Sequence, residues 1–250
     1  MKITWWGHAT ATVELNGVRV LTDPLLADRL GHLRRQVPPV PADAAAIDVV
    51  IVSHLHADHL HLPSLRRLRE AAPILVPRGA REFVSAHDPA LGARIEELAP
   101  GETVSVAGIE IAATRAHHDG RRWPTSRHRA PALGFVLRAA GESIWFAGDT
   151  GLFGGLDAIG PVDVALVPVG GWGPTLGPHH LDPEQAAQAV RRVGAAHAVP
   201  VHYGTYWPMG LRRAAPQLFR ARCREPGRRF AAAADGFAAH VVAPGGSVQL

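Results

Sequence analysis

The segment over residues 53–59, Ser-His-Leu-His-Ala-Asp-His, constrains the fold of this chain more than any other feature. It follows directly on the apolar run at residues 47–52. His54 and His56 alternate, so in an extended chain they point the same way, whereas Asp58 and His59 come after the chain has begun to turn. Imidazoles and carboxylates are metal-ligand groups. This order predicts a loop that ligates two metal ions in a hydrolase, and the alternative is a polar turn that happens to be rich in histidine.

Length and composition predict one domain over residues 1–250. A chain of 250 residues with 47% hydrophobic content can bury one sizeable core, and it contains no obvious linker. The N-terminus lacks a basic segment followed by an apolar one, and no apolar run is long enough to cross a bilayer. The single cysteine, Cys223, excludes an internal disulfide. We therefore expect a soluble, cytoplasmic protein without a membrane segment.

Arginine carries almost all of the positive charge. The net charge is +4 and Lys2 is the only lysine, a balance that permits an anionic substrate. The arginine pairs, however, are spread along the chain rather than gathered in one block, and solvated helix faces and loop ends explain them as well. The sequence also has no arginine-aromatic block suited to a nucleic-acid strand, which makes nucleic acid an unfavoured partner.

The first part of the chain alternates strands and helices. Apolar patterning predicts strands over residues 2–6, 11–15 and 18–22, the last two joined by the hairpin signal Asn16-Gly17. A helix is predicted from Pro63 to about residue 70, then a strand over 74–76 and a helix over 80–86. This alternation is typical of layered α/β architecture.

The second part repeats this organisation. Strand-turn-strand patterns occur around Ala107-Gly108 and Ala140-Gly141, and buried-type strands are predicted over 162–167 and 197–201. Between these two strands lies a helix with Asp182 as N-cap, Pro183 at its first position and Gln185 completing a capping box. We therefore expect two β-rich halves with helices outside.

Further potential ligands also come directly after apolar strands. His118, Asp149 and His202 each occupy such a position, as does the loop over residues 53–59. A sheet can bring strand ends together on one rim, so we expect the following side chains to converge: His54, His56, Asp58, His59, His118, Asp149 and His202. An isolated histidine or aspartate at a strand end would be an ordinary surface residue.

Six motifs, spread over almost the whole chain, resemble those of the metallo-β-lactamase superfamily. They are Gly7-His8-Ala9-Thr10, Thr22-Asp23-Pro24, His54-x-His56-x-Asp58-His59, Ala116-His117-His118-Asp119, Gly148-Asp149-Thr150 and Pro200-Val201-His202-Tyr203-Gly204. The branch most similar to this chain contains ascorbate-phosphate lactonases and N-acylphosphatidylethanolamine phospholipase D. The resemblance implies an α/β fold, the four-layer αββα sandwich, with a dinuclear metal site in the groove at its edge.

The resemblance also implies a ligand for each position. His54, His56 and His118 would hold one metal, Asp58, His59 and His202 the other, and Asp149 would bridge them. His117 competes with His118, and the family pattern of a small residue, any residue and then histidine favours His118 because Ala116 is the small one. No cysteine stands where many β-lactam hydrolysers place a ligand, and Leu62 replaces a glycine common in glyoxalase-type members.

The predicted chemistry is hydrolysis by a hydroxide held between two divalent ions. Zinc is the expected metal, and manganese and iron are the alternatives. The substrate is expected to be small, an anionic phosphodiester or a lactone or ester. Asp58 would take up a proton or orient the hydroxide, and His180 would donate to an oxyanion or leaving group. For His180 the alternative is a loop residue that packs beside the helix cap.

Other residues are expected to support the centre or to contact substrate. Asp23 and His8 would hold ligands in place, with burial in turns that cap backbone groups as the alternative. The expected substrate contacts are Arg121, Arg122, Trp172 and Tyr203, and core packing explains either aromatic residue as well. A nuclease of the same fold and a non-catalytic metal- or ligand-binding module remain alternative functions. A homo-oligomer is compatible with the sequence.

Overall fold

The strands form two large sheets and one small one. The structure is a computed structural model, and it describes residues 1–69, 71–171, 175–177 and 179–250. Its strands are β1 (Lys2–Gly7), β2 (Thr10–Leu15), β3 (Val18–Thr22), β4 (Arg29–Leu30), β5 (Leu33–Arg35), β6 (Val49–Ile51), β7 (Ile74–Pro77), β8 (Ile95–Leu98), β9 (Thr103–Val106), β10 (Ile109–Arg115), β11 (Leu133–Ala139), β12 (Glu142–Phe146), β13 (Val164–Pro168), β14 (His197–Val201), β15 (Tyr206–Pro208), β16 (Ala238–Ala239) and β17 (Ser247–Gln249).

The helices are mostly short. They are α1 (Leu62–Leu65), α2 (Ala80–His87), α3 (Pro89–Gly92), α4 (Pro183–Val193), α5 (Leu211–Ala214), α6 (Pro216–Phe219) and α7 (Pro226–Ala232), with 3₁₀ turns at Ala42–Ala45 and Leu156–Ala158 and a π-helical turn at Arg220–Arg224. Within the described residues, no helix combines the length and the apolar character that a bilayer span requires.

Both large sheets follow the same plan. The N-terminal sheet has the order β17-β1-β2-β3-β6-β7-β8, and the C-terminal sheet has the order β16-β14-β13-β12-β11-β10-β9. In each sheet an antiparallel meander continues into parallel strands: β3 pairs parallel with β6, and β12 pairs parallel with β13. The repeated order of hairpins, strand and helix expected from the sequence is therefore present in both halves.

Alternating side chains place the layers. In β6, Val49 and Ile51 join a core that also contains residues of the C-terminal sheet, such as Phe135, whereas Val50 faces a second core. That second core contains side chains of α1 and α2, including Phe83. Successive strand residues point to opposite faces, so the N-terminal sheet lies between these helices and the C-terminal sheet.

Helix α4 supplies the outer layer on the other side. It packs against β13 of the C-terminal sheet, where its Ala186 and Val190 are buried. Asp182 Oδ1 accepts from Gln185 N at 2.8 Å, and Gln185 Oε1 accepts from Asp182 N at 3.1 Å, which confirms the capping box. The helix ends at Gly194, whose φ of 72° suits a left-handed C-cap. The predicted αββα order is confirmed.

Some predicted bounds differ from the observed ones. The helix expected from Pro63 to about residue 70 ends at Leu65, because the next amides donate three residues back: Arg67 N to Ser64 O at 3.0 Å and Leu68 N to Leu65 O at 3.2 Å. Residue 70 itself is outside the described residues. The small sheet β15-β5-β4 and the terminal strand β17, which covers the edge of β1, were not predicted.

Candidate metal centre

The predicted ligands converge where the strands of both sheets end. The loop over residues 53–59 follows β6, His118 follows β10, and Asp149 and His202 follow β12 and β14. Their ligating atoms form overlapping groups in which all atoms lie within 4.8 Å of one another, namely His8, Asp58, His59 and His202; His54, His56 and His118; His54, His59 and Asp149; and His118, Asp149 and His180.

The first group is made of three imidazoles. His56 Nδ1 lies 2.9 Å from His54 Nε2 and 3.2 Å from His118 Nε2. His117, the competing candidate, is exposed, and its ring packs edge-on against His179 with 4.8 Å between centroids. The backbone therefore turns His118, and not His117, toward His54 and His56.

The second group combines imidazoles with a carboxylate. His59 Nε2 lies 3.2 Å from His202 Nε2 and 3.6 Å from Asp58 Oδ2. His8 Nε2 donates to the same carboxylate oxygen at 2.9 Å. The Nε2 atoms of His59 and His202 thus face each other. A hydrogen bond between them would require a proton on one of the two atoms.

Asp149 lies between the two groups. Its Oδ2 is 3.4 Å from His59 Nε2 and 4.0 Å from His118 Nε2, and its Oδ1 is 3.2 Å from His202 Nε2. The side chain is buried, yet Oδ1 accepts no hydrogen bond from the described residues. A buried carboxylate oxygen without a donor is costly, and a cation beside it would remove that cost.

In four of the five candidate ligand histidines, the Nδ1 atom has a hydrogen-bond partner outside the set of candidate ligands. The pairs are His54 Nδ1 with Ser53 Oγ at 2.9 Å, His59 Nδ1 with Asp23 Oδ2 at 2.6 Å, His118 Nδ1 with His179 O at 2.9 Å, and His202 Nδ1 with Gly170 O at 2.9 Å. Carbonyl and carboxylate oxygens only accept, so in the last three pairs Nδ1 donates, and in the neutral ring the lone pair is on Nε2. These lone pairs point inward, as metal ligation requires.

A family model described as the beta-lactamase superfamily domain matches residues 18–203. The chain belongs to this superfamily. It is 32% identical to a UPF0173 metal-dependent hydrolase of Thermoplasma acidophilum, an alignment that covers 88% of this chain and 90% of the relative. Its relatives thus include a protein named as a metal-dependent hydrolase.

Two further matches agree with the superfamily assignment. The chain is 32% identical to N-acyl-phosphatidylethanolamine-hydrolyzing phospholipase D 1 of Caenorhabditis elegans, over 83% of this chain and 64% of the nematode protein. A structure of Igni18, a metallo hydrolase of Ignicoccus hospitalis, superposes with a TM-score of 0.70 at 25% identity and covers 99% of this chain and 97% of that one. The chain also spans only 64% of the length of uncharacterized mycobacterial relatives. The metallo-β-lactamase fold expected from the motifs is confirmed.

The pKa values of the candidate ligand histidines shift in different directions. Burial lowers the pKa of His118 to about 4 and that of His202 to about 3, which keeps both rings in the neutral form that binds metal. Burial also disfavours a charge on His59, but the carboxylates around it, first Asp149 and then Asp58, raise its pKa well above the ordinary value. The carboxylates thus make the space beside His59 attractive to a cation.

Asp23 combines the two roles considered for it. Its buried carboxylate accepts from Ser53 N, Ser53 Oγ and His59 Nδ1, each at 2.6 Å. It therefore caps the start of the loop over residues 53–59 and also orients His59, a candidate ligand. Ser53, which sequence reasoning left without a role, connects Asp23 to His54. The one signal for Ser53 in the sequence is its place at the head of the loop.

A cavity of about 540 Å³ opens beside the centre. Its inner lining includes Asp58, Asp149 and His180, and His180 Nε2 lies 3.4 Å from Asp149 Oδ2. Its outer lining is largely apolar and includes Leu30, Leu33, Trp123, Pro124 and Leu176. The sequence contains no signal that would have assigned these apolar residues, because they come from separate loops and the small third sheet.

The four residues expected to bind substrate are placed differently from one another. Arg122 lines the cavity, but its Nη1 donates to Leu55 O at 2.6 Å and to Leu60 O at 2.7 Å. Arg121 is exposed, pairs with Asp119 at 2.6 Å, and lies outside the lining of this cavity.

The two aromatic residues of that set also differ. Tyr203 is buried, stacks on Trp5 with 5.0 Å between ring centroids, and lines a different cavity. Trp172 lies outside the described residues. Of the four, Arg122 alone is found in the described lining of the cavity beside the metal centre.

Proposed function

We propose that residues 1–250 form a single hydrolase domain that holds two divalent metal ions and cleaves a small phosphodiester or a lactone or ester. The observation that carries the proposal is the convergence of two ligand groups on Asp149, whose buried Oδ1 has no donor among the described residues. Membership of a superfamily that includes metal-dependent hydrolases supports it.

The donor set fits two cations. His54, His56 and His118 would hold one of them, and Asp58, His59 and His202 the other. Asp149, which lies beside His118, His59 and His202, would contribute to both. Imidazole nitrogen and carboxylate oxygen without thiolate suit zinc, and manganese or iron are alternatives. When bound, a pair of such ions lowers the pKa of water enough to supply hydroxide near neutral pH and polarises a substrate oxygen.

The protein's own side chains have separate tasks in this proposal. His8 donates to Asp58 at 2.9 Å, which fixes the carboxylate so that it can orient the attacking water or accept its proton. His180 reaches the same cavity and contacts Asp149 at 3.4 Å. Its pKa is raised because Asp149 outweighs the effect of burial, so the ring can carry a proton for a leaving group.

The cavity suits a small substrate with an apolar part. Its volume of about 540 Å³ falls in the ordinary range for small-molecule sites, and its outer walls are largely apolar. Nη1 of Arg122 is held by two carbonyl oxygens, so we expect the metal centre to be the main binding site for a substrate anion. The name of the nematode relative, a phospholipase D, supports phosphodiester chemistry.

The first experiment measures metal content. Protein purified without added metal is analysed for elements, and about two equivalents per chain are expected. His118→Ala and His202→Ala should each reduce the content, because each removes a nitrogen from a different group. His117→Ala is the matched control: this exposed neighbour should leave the content unchanged. Equal losses in His117→Ala and His118→Ala would contradict the ligand assignment.

The second experiment separates the chemistries. Hydrolysis of bis(p-nitrophenyl) phosphate is compared with hydrolysis of a lactone panel, and His180→Gln is expected to lower kcat while the metal content stays at the wild-type level. Salt-sensitive RNA binding with RNA cleavage would indicate the nuclease alternative. Inactivity on every substrate with both metals bound would indicate a non-catalytic module.

A further inference from the structure

A second cavity, of about 390 Å³, has a lining that includes none of the proposed metal ligands. Its buried lining includes the rings of Trp5, Tyr203 and Phe219 and the thiol of Cys223. The segment from Val241 to Pro244 forms another part of the wall. The interior is therefore mainly apolar and aromatic.

Two arginines give this cavity its charge. The guanidinium carbons of Arg212 and Arg224 lie 4.9 Å and 5.7 Å from the centroid of the Phe219 ring, and both side chains are exposed. Among the described residues, no carboxylate lies within 4.0 Å of either guanidinium, and the cavity lining contains no Asp or Glu. Other arginines of the chain, such as Arg192, pair with carboxylates.

Both guanidinium groups lie near one ring, so their positive potentials add there and favour an anion. Guanidinium groups bind carboxylate, sulfonate and phosphate oxygens through paired N–H donors. Both arginines also act on Cys223, where they favour a negative charge on the sulfur although burial raises the thiol pKa to about 12. The positive potential thus extends from the exposed arginines into the cavity.

We propose that this cavity binds an amphiphilic anion, with its acidic group at Arg212 and Arg224 and its apolar body against Trp5, Tyr203 and Phe219. A volume of about 390 Å³ accommodates a body of two or three rings or a short acyl chain. This site goes beyond the proposed hydrolysis, since no residue of its lining is a proposed metal ligand.

Some residues that line this cavity are nevertheless next to proposed metal ligands in the chain. Tyr203 and Gly204 directly follow His202, and Trp5 Nε1 donates to His8 O at 2.8 Å. Gly204 has a φ of 68°, and a Cβ there would lie 2.5 Å from Cys223 O, so this turn tolerates little change. An anion bound in the cavity would contact the segment that carries His202.

The test uses two fluorescent probes of similar shape, 1-anilinonaphthalene-8-sulfonate and the uncharged N-phenyl-1-naphthylamine. In Arg212→Gln/Arg224→Gln the Kd of the sulfonate should rise about tenfold or more, whereas the Kd of the neutral probe should change less than about twofold. The matched control, Arg213→Gln/Arg220→Gln, removes the same charge from exposed positions outside the lining and should leave both values unchanged.

Two wedge variants locate the probe. Val241→Trp narrows this cavity and should weaken both probes, and Leu176→Trp narrows the cavity at the metal centre and should weaken neither. Circular dichroism and urea unfolding check that each variant is folded. Loss of binding in Leu176→Trp, equal weakening by the control pair, or unchanged affinity in Arg212→Gln/Arg224→Gln would each overturn the proposal. None of these readouts depends on hydrolysis or metal content.

Discussion

The side chain of Asp23 stabilises a turn and also orients His59, a candidate ligand. It follows β3 with a φ of 34°, a left-handed conformation that Asp and Asn tolerate better than most residues. In that position its fully buried carboxylate accepts three hydrogen bonds, one from an imidazole and two from Ser53. A carboxylate so placed holds the His59 ring in the tautomer that exposes Nε2.

Asp23→Asn should weaken metal binding about 10- to 100-fold and lower the free energy of unfolding by about 1–3 kcal/mol. The amide has one acceptor oxygen, and its NH₂ would face donors. Competition with a chelator and urea unfolding measure the two effects. Asp48→Asn is the control. Asp48 Oδ2 also accepts a backbone hydrogen bond, from Arg19 N at 2.9 Å, but Asp48 lies before β6 and the candidate ligand loop lies after it. Unchanged metal affinity in Asp23→Asn would contradict the orienting role.

Arg122 and its neighbour Arg121 offer a second contrast between residues. Arg122→Gln should destabilise the fold by about 2–3 kcal/mol, because the buried guanidinium bonds two loop carbonyls, at Leu55 and Leu60. Arg121→Gln removes an exposed pair with Asp119 and should leave stability unchanged. Urea unfolding compares them. If Arg122→Gln had unchanged stability and only a higher KM for anionic substrates, the result would support the substrate-binding role predicted from the sequence.

At the scale of elements, local signals specified several turns and caps directly. The hairpins at Asn16-Gly17, Ala107-Gly108 and Ala140-Gly141 all have positive φ at both central residues, between 49° and 82°. That geometry is the type I′ turn, whose twist matches the flanking strands. The capping box of α4 belongs to the same class of local determinant.

Asp182→Ala should lower the free energy of unfolding by about 1 kcal/mol, because the amide of Gln185 would lose its acceptor at the start of α4. Asp182→Ser keeps a capping oxygen and should recover most of that loss. Urea unfolding followed by circular dichroism measures both. A loss of the same size in the two variants would show that the cap is not the cause.

At the scale of the whole molecule, the candidate centre joins the two sheets. His54 and His59 follow a strand of the N-terminal sheet, whereas His118, Asp149 and His202 follow strands of the C-terminal sheet. Because the candidate ligands come from both sheets, we expect bound metal to stabilise the fold, since the unfolded chain cannot assemble the site.

Removal of metal by a chelator should therefore lower Tm. A metal present at about 100 times its Kd contributes about 2.7 kcal/mol, which for a chain of this size corresponds to a shift of about 5–10 °C. Differential scanning calorimetry measures the shift, and added zinc should reverse it. His202→Ala should show a smaller shift on chelation. The same Tm with and without chelator, in protein shown to contain metal, would contradict this coupling.

Local sequence patterns predicted candidate ligands at strand ends, the hairpins and the capped helix. Each of these follows from residues close together in the chain, so local patterns were enough to predict them. The motifs also indicated the superfamily. The length of α1 was overestimated, because backbone bonds after Leu65 change to a three-residue spacing that no apolar periodicity predicts.

Which side chains face the candidate centre depends on how the two sheets pack together. His118 turns inward beside an exposed His117, Arg122 binds loop carbonyls, and Tyr203 lines the second cavity. The walls of the cavity at the centre likewise come from loops and a small sheet distant in the chain. These directions depend on long-range packing between the two sheets, and short-range sequence patterns carry no information about which distant backbone a side chain will contact.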